Sequence, residues 1–276
     1  MRSAESPKGG AAVAIVFRQQ PRALLYPDRP VTYIQTFQDR MSLLGDVGLD
    51  MVIPVDFDTE LRSLTPGEFV TQLCRHLRMR HLVLGTGTAI GRDRRGDAAT
   101  LGVLGDQMGF ALHSIEPAKH ADEIVSSSAI RTALFEGRMA DVQAMLGRRF
   151  VLRGTVEPGE RRGRELGYPT ANLSVEPQAA VPRDGIYATW ATVDVDRHGP
   201  TRVPAATSIG IRPTFGGRHR TVEAHLIGFE GDLYGRRMTV EFVARLRDEL
   251  NFADAAALAA QIARDVVQTK AALGVS

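Results

Sequence analysis

Apolar and polar positions follow two different periods along this 276-residue chain. Up to about residue 130, short continuous apolar runs alternate with segments in which apolar residues recur at helical spacing. The runs are AVAIVF (12–17), MVIPV (51–55) and HLVLG (81–85). Apolar runs that alternate with amphipathic helices are typical of buried parallel strands in βαβ units. The pattern therefore predicts an N-terminal α/β domain.

The period changes to two near residue 150, where apolar and polar residues begin to alternate. The alternating runs are FVLRGTV (150–156), GIYATWATVDV (185–195), TVEAHLIGF (221–229) and MTVEFVARL (238–246). Gly, Pro, Asp and Arg separate them, which predicts an antiparallel β domain, a small barrel. Helical spacing returns in residues 254–273 and predicts one terminal helix packed on the barrel. We place the domains at 1–149 and 150–276.

Local signals mark helix ends within this plan. Thr65 is a candidate N-cap, with Pro66 at the first helical position and Glu68 three residues after the cap, the arrangement of a capping box. Gly137 and Gly147 each follow a short helical pattern and are candidate C-terminal caps.

Composition narrows the classes of partner. The formal charge is only +2, and no dense Lys/Arg run is present, which argues against nucleic acid. Cys74 is the single cysteine, so no intrachain disulfide can form and a cytoplasmic setting fits. The apolar run at 11–17 is too short to cross a bilayer, so we expect no membrane association. Nothing in the sequence indicates an oligomeric state.

Four glycines punctuate GTVEPGERRGRELGYPTANL (154–173), namely Gly154, Gly159, Gly163 and Gly167. Glycine admits positive φ and lets backbone N–H groups approach a ligand closely, as in loops that cradle phosphates. No Gly-Lys-Ser/Thr occurs in the chain, so this is not a P-loop. From composition alone, a glycine-rich hairpin without a ligand is an equal alternative.

The end of this segment adds oxygen ligands. Pro169 has a fixed φ and restrains Tyr168, so Thr170 and Asn172 should lie two residues apart on an extended segment and project from one face. A hydroxyl beside an amide suits hydrated Mg²⁺ and phosphate oxygens. The alternative is a turn with a capping hydroxyl.

The whole glycine-rich run resembles the signature of the riboflavin kinase family. The resemblance continues in order through DGIYA (184–188), SIGIRPTFGG (208–217), TVEAHL (221–226), GDLYG (231–235) and RLRDELNF (245–252). It implies a six-stranded barrel with a C-terminal helix. It also implies that the barrel binds riboflavin and MgATP and transfers the γ-phosphoryl group to the ribityl 5′-hydroxyl.

By matching position, the resemblance implies that the glycine segment binds ATP phosphates, that Thr170 and Asn172 also hold Mg²⁺, and that Glu223 is the general base. The alternation in TVEAHL places Glu223 and His225 on the face opposite the apolar residues. An ordinary exposed strand carboxylate is the alternative for Glu223. Arg247 is predicted to neutralise phosphate charge or to hold the flavin flap, with a plain surface arginine as the alternative.

Residues 11–149 resemble the adenylyltransferase half of the bifunctional riboflavin kinase/FAD synthetases. In VSSSAIR (125–131), Ser127, Ser128 and Arg131 keep the family's phosphate-binding character, with the serines near a helix N-terminus. A helix cap followed by a solvated arginine is the alternative reading of this segment.

Other parts of that half depart from the family. Its Gly-x-Phe-Asp-Gly-x-His-x-Gly-His loop has no counterpart, and residues 1–10 contain no histidine. Gln20 stands where the family has a histidine, and Gly87, Thr88 and Ile90 replace an acid and two aromatics. We therefore expect a degenerate adenylyltransferase half. Three functions stay open: a riboflavin kinase, a bifunctional enzyme that also makes FAD, and a non-catalytic flavin-binding regulator.

Overall fold

The computed structural model describes residues 9–29, 31–159, 163, 166–194, 199–214 and 217–276. Contacts divide the chain into two compact units, Met1–Val31 with Thr36–Lys119 and Thr32–Gln35 with His120–Ser276. This division reports which elements pack together and not which residues carry an activity, so the domain boundary at residue 150 stays a prediction. In the described part of the chain, no helix has both the length and the hydropathy needed to span a membrane.

The first unit alternates strands and helices, as predicted. Its strands are β1 (Val13–Phe17), β2 (Met51–Val55), β3 (His81–Gly85) and β4 (Ala111–Ile115). Its helices are α1 (Pro21–Leu25), α2 (Phe37–Asp46), α3 (Thr59–Ser63), α4 (Pro66–Leu77) and α5 (Ala98–Met108), with a 3₁₀ turn at Arg92–Arg94. Parallel pairing joins β1 to β2 and β3 to β4, which confirms the α/β class.

Helix α4 begins for the local reason read from the sequence. The Thr65 side chain accepts a hydrogen bond from the Glu68 backbone N–H, and the Glu68 carboxylate accepts one from the Thr65 N–H at 2.8 Å. Its apolar face packs with α5 against one side of β3 and β4, where Val70, Leu101 and Phe110 form a small buried cluster.

The second unit is built on a barrel. The ribbon β5 (Lys119–His120) and β6 (Glu123–Ile124) precedes α6 (Ser127–Glu136) and α7 (Met139–Leu146). The barrel strands are β7 (Phe150–Glu157), β8 (Ala171–Val175), β9 (Gly185–Asp194), β10 (Pro200–Thr214), β11 (Gly217–Leu226) and β12 (Arg237–Arg247). They close in the order β10-β11-β8-β7-β12-β9 with every pair antiparallel, so the six-stranded barrel is confirmed.

The period-two alternation fills the barrel with side chains. Residues such as Val156, Leu173 and Val222 are buried in one cluster. Helices α6 and α7 add Leu134 and Val142 to the same cluster. Left-handed glycines end both helices at the predicted caps. The two helices before residue 150 therefore pack with the barrel.

The predicted terminal helix, Ala255–Leu273, lies against β9, β10 and β12. Ala188 and Ala206 are paired neighbours on β9 and β10, and both are buried. The residues that flank them along each strand, Thr189 and Thr207, hydrogen-bond to each other at 2.7 Å. Because successive strand residues point to opposite faces, the alanines lie on the outer wall, where small side chains let the helix approach.

Candidate functional site

Two of the predicted site residues meet across neighbouring strands. Asn172 on β8 lies directly opposite Glu223 on β11. Directly opposed residues of an antiparallel pair project to the same face with their Cβ atoms about 4.5–5.5 Å apart. Val222 and Ala224, on either side of Glu223, are buried in the barrel, whereas Glu223 is half-buried. Asn172 and Glu223 therefore share the outer wall, as the alternation in the sequence predicts for Glu223.

The glycine-rich segment lies against the Thr170–Asn172 stretch. A Cβ added to Gly159 would come within 1.9 Å of the Asn172 amide nitrogen. One added to Gly163 would come within 2.4 Å of the Tyr168 carbonyl and 3.5 Å of the Thr170 side chain. The Tyr168 N–H also donates to the Gly163 carbonyl at 2.8 Å. Any larger residue at these two positions would collide with the Tyr168–Asn172 stretch, so the close packing requires glycine. The structure therefore places Gly159 and Gly163 beside the predicted oxygen ligands.

The other two glycines have different surroundings. Gly154 lies inside β7, where a Cβ would come within 2.1 Å of the Ser174 carbonyl oxygen, so strand packing explains it. Gly167 is exposed with φ +83°, a left-handed conformation suited to a turn. Their predicted role in phosphate binding stays a prediction. Five positions of the segment, 160–162, 164 and 165, lie outside the described residues, as do 215 and 216 of the SIGIRPTFGG match.

One side chain with no predicted role contacts this segment from β11. The His225 Nδ1 atom lies 2.9 Å from the Pro169 carbonyl oxygen. Its ring meets the Tyr168 ring edge-on, with centroids 5.4 Å apart. The sequence signal that could have found it is its position two residues after Glu223 on the same face of the strand.

Arg247 is held by the C-terminal helix. Its Nε and Nη2 atoms donate to the two carboxylate oxygens of Asp265 at 2.8 and 2.6 Å, and its Nη1 donates to the Asp248 carbonyl at 2.8 Å. Strand pairing connects Arg247 to Glu223 through Ile186 and Ser208, three strand steps or about 14 Å along the wall. The structure thus does not place Arg247 beside Asn172 and Glu223, and its catalytic role stays a prediction.

A cavity of about 510 Å³ lies near one end of the barrel. Its lining residues are Phe135, Arg183, Asp184, Arg220, Asp248 and Glu249. The Glu249 carboxylate lies over Gly210, where a Cβ would come within 2.2 Å of its Oε1 atom. Gly210 is two residues from Ser208, the partner of Glu223 on β10. The cavity volume is in the range of small-molecule sites, and sequence reasoning did not identify it.

Ion pairs organise the cavity wall. Arg220 donates to Asp184 through Nε and Nη2 at 2.9 and 2.6 Å. Arg245 donates a hydrogen bond to the Asp248 carboxylate. This hydrogen bond and the positive charge of Arg245, with a smaller contribution from Arg183, hold the pKa of the Asp248 carboxyl below its usual range. Asp248 is therefore ionised at neutral pH. The cavity offers fixed charges of both signs beside the ring of Phe135.

Two family models match the chain in sequence order. Residues 146–273 match the riboflavin kinase model, and residues 1–129 match the FAD synthetase model. A bifunctional riboflavin kinase/FMN adenylyltransferase of Escherichia coli (strain K12) is 32% identical over 265 residues, covering 96% of this chain and 83% of that protein. The chain belongs to the bifunctional riboflavin kinase/FMN adenylyltransferase family. The protein of the same name from Pseudomonas fluorescens is 34% identical, covering 95% and 83%.

A solved structure agrees with this placement. The crystal structure titled as a macrolide-efflux protein from Streptococcus pneumoniae aligns with a TM-score of 0.84 and 28% identity, covering 94% of this chain and 83% of that one. The two chains share the same fold. Family membership confirms the predicted resemblance and makes this chain an ATP-dependent enzyme with a riboflavin kinase domain.

The donors near Glu223 fit the metal that the kinase family implies. The Thr170 hydroxyl and the Asn172 amide supply hard oxygen atoms, the type that Mg²⁺ prefers, and the Glu223 carboxylate lies on the strand position opposite Asn172. Over the described residues, no three or more His, Cys, Asp or Glu side chains group together as metal ligands. Mg²⁺ commonly keeps several waters and is bound by one or two carboxylates together with substrate phosphates, so a small set of protein donors is compatible with this metal.

The residues that depart from the family pattern follow parallel strands. Gln20 stands at the N-cap of α1, shortly after β1 ends. Gly87, Thr88 and Ile90 lie in the loop after β3, where Gly87 has φ +79°. Carboxyl ends of parallel strands are where α/β sheets bind ligands. These substitutions thus fall where an adenylyltransferase site is expected, and the predicted degeneration stays a prediction.

The serine segment of the adenylyltransferase resemblance opens α6, in the second unit. Ser126 caps the helix by accepting from the Ala129 N–H at 3.1 Å, while Ser127 and Ser128 are exposed in the first turn. Arg131 Nη1 lies 3.4 Å from the Thr32 carbonyl oxygen. The expected helix N-terminus is present, whereas a phosphate-binding role for Ser127, Ser128 and Arg131 stays a prediction.

Proposed function

We propose that this family member is a riboflavin kinase that transfers the γ-phosphoryl group of ATP to the 5′-hydroxyl of riboflavin. The observation that carries the proposal is the pairing of Asn172 on β8 with Glu223 on β11. Gly159 packs closely against the side chain of Asn172. The amide that we assign to the phosphates and the candidate base thereby share one face of the barrel.

We assign binding of the nucleotide to the glycine-rich segment and to the oxygen donors Thr170 and Asn172. Thr170 and Asn172 would hold Mg²⁺ and orient the phosphates, while Gly159 and Gly163 let the backbone of the glycine-rich segment pack closely against Asn172 and Tyr168. The metal, when bound, neutralises charge on the phosphate oxygens. Since phosphoryl transfer depends mainly on positioning and charge neutralisation, these four residues would supply much of the catalysis.

Glu223 is assigned the role of base. Its carboxylate would accept the proton of the riboflavin 5′-hydroxyl and orient that oxygen toward the γ-phosphorus. The flavin is assigned to the cavity near Gly210, where Phe135 offers an apolar surface and Arg183 and Glu249 offer polar contacts. A cavity of about 510 Å³ is large enough for a ligand of this class.

The test replaces Glu223 by glutamine, which keeps size and hydrogen-bonding reach but removes the basicity. We expect kcat to fall on the order of 10²–10⁴-fold, with little change in riboflavin affinity. Glu241→Gln is the matched control, because Glu241 is also an outward-facing strand carboxylate, and it lies on β12, where it pairs with Arg149 and Arg202. Near-wild-type turnover in the Glu223 variant would remove it from the mechanism. Riboflavin binding without turnover in the wild type would instead establish a non-catalytic regulator.

A second candidate activity is FMN adenylyltransfer, which would make FAD. It is favoured by the FAD synthetase match at residues 1–129 and by the bifunctional names of the relatives. The substitutions at Gln20 and Thr88 argue against it, because they replace a histidine and an aromatic of the family pattern. Incubation with FMN, ATP and Mg²⁺ decides the matter. We expect no FAD, with the Escherichia coli relative as the positive control.

A further inference from the structure

We infer that His225 is a positioning residue that places Thr170 through its contact with the Pro169 carbonyl. The inference rests on the kinase function proposed above, because it concerns the nucleotide side of the same site. It assigns the imidazole no contact with substrate.

Strand register explains why Thr170 needs such support. The β8–β11 ladder pairs Asn172 with Glu223 and Ala171 with Ala224. One more step in the same register would set Thr170 opposite His225, but β8 begins at Ala171 and the ladder stops there. Thr170 is thus the first residue beyond the ladder, and its position depends on what holds the residues before it.

Three contacts hold the residues that precede Thr170. The Tyr168 N–H donates to the Gly163 carbonyl at 2.8 Å. Pro169 has no N–H to donate, and its carbonyl lies 2.9 Å from His225 Nδ1. The imidazole also meets the Tyr168 ring edge-on at 5.4 Å, a favourable aromatic arrangement. His225 therefore contacts both of the residues that lead into Thr170.

The contact with the Pro169 carbonyl determines which nitrogen of the His225 ring carries a hydrogen. A carbonyl oxygen only accepts, so His225 Nδ1 must carry the hydrogen. An asparagine side chain can present an amide N–H near the position of Nδ1, whereas a phenylalanine ring keeps the aromatic contact and has no donor. The two substitutions separate the hydrogen bond from the ring packing.

The experiment compares His225→Phe and His225→Asn in the full chain by equilibrium titration with MgADP, alongside steady-state FMN formation. Loss of one net hydrogen bond corresponds to about three- to tenfold weaker binding. We expect the Phe variant to bind MgADP about three- to tenfold more weakly, with KM for riboflavin within about twofold of wild type. The Asn variant should bind MgADP within about twofold of wild type. Thermal midpoints should stay close to that of the wild type.

The outcomes separate this inference from the proposed function. Wild-type MgADP affinity in the Phe variant would overturn the positioning role while leaving the kinase assignment intact. Equal weakening in both variants, accompanied by lower thermal midpoints, would show that His225 only stabilises the fold and would also overturn it. A wild-type chain that binds MgADP but forms no FMN would reject the kinase function. The comparison of nucleotide affinities would still report on His225.

Discussion

Replacing Asp265 by alanine should destabilise the second unit and reveal what Arg247 does. The Asp265 side chain is 4% exposed and accepts both hydrogen bonds of the Arg247 fork, and Gln261 donates to it at 2.9 Å. The Arg247 side chain is 17% exposed. Removing the carboxylate would therefore leave a largely buried guanidinium without its counter-charge.

The size of the effect follows from burial. Breaking a buried ion pair by removing one partner costs about 3–5 kcal/mol. Arg247 keeps its bond to the Asp248 carbonyl and some contact with water, so we take the lower end, about 3 kcal/mol. For a unit of this size, that lowers the unfolding midpoint by about 6–12 °C. Replacing both charges, as in Arg247→Met with Asp265→Leu, should recover most of the loss, because apolar substitutes for buried pairs are often neutral.

Thermal unfolding and FMN formation are measured for Asp265→Ala, Arg247→Met, the double variant and the wild type. Glu241→Ala serves as the control, since a partly exposed ion pair should contribute less than about 1 kcal/mol. If Arg247 acts by anchoring the C-terminal helix, activity should return with stability in the double variant. If it binds phosphate, as its catalytic assignment predicts, the double variant should be stable yet slow. A midpoint shift under about 2 °C for Asp265→Ala would refute the burial argument.

Three further results are expected. Gly159→Ala should weaken ATP binding, measured by titration, because the new methyl would meet the Asn172 amide, and unchanged affinity would contradict the close approach. Hydrogen bonds from Arg138 and then His120 lower the pKa of Asp141, so its contribution to stability is present above about pH 4 and is lost as the pH falls through the lowered pKa. Asp141→Asn should thus reduce the unfolding midpoint at neutral pH and converge with wild type in acid. A fragment that starts before α6 should melt higher than one that starts after α7, and equal midpoints would show that these helices add nothing to the barrel core.

Sequence pattern was sufficient for the elements whose cause is local. The capping box at Thr65 and Glu68 and the glycine caps of α6 and α7 are present as predicted, because each depends on residues within a turn or two. The change of period near residue 150 likewise predicted a barrel after an α/β domain. It did not reveal that α6 and α7 pack with the barrel, because an apolar helix face does not specify its partner.

For the candidate site too, some features could be predicted from the sequence and others only from the tertiary structure. Residue types and their match to a family signature named Thr170, Asn172 and Glu223, and strand alternation set the face on which Glu223 projects. Three features depend on the tertiary structure of the closed barrel: Asn172 lies opposite Glu223, Asp265 accepts hydrogen bonds from the Arg247 guanidinium, and a cavity lies near Gly210. Periodicity is a property of neighbouring residues, whereas register between distant strands is set by the joint burial of every strand's inner face, which no single segment contains.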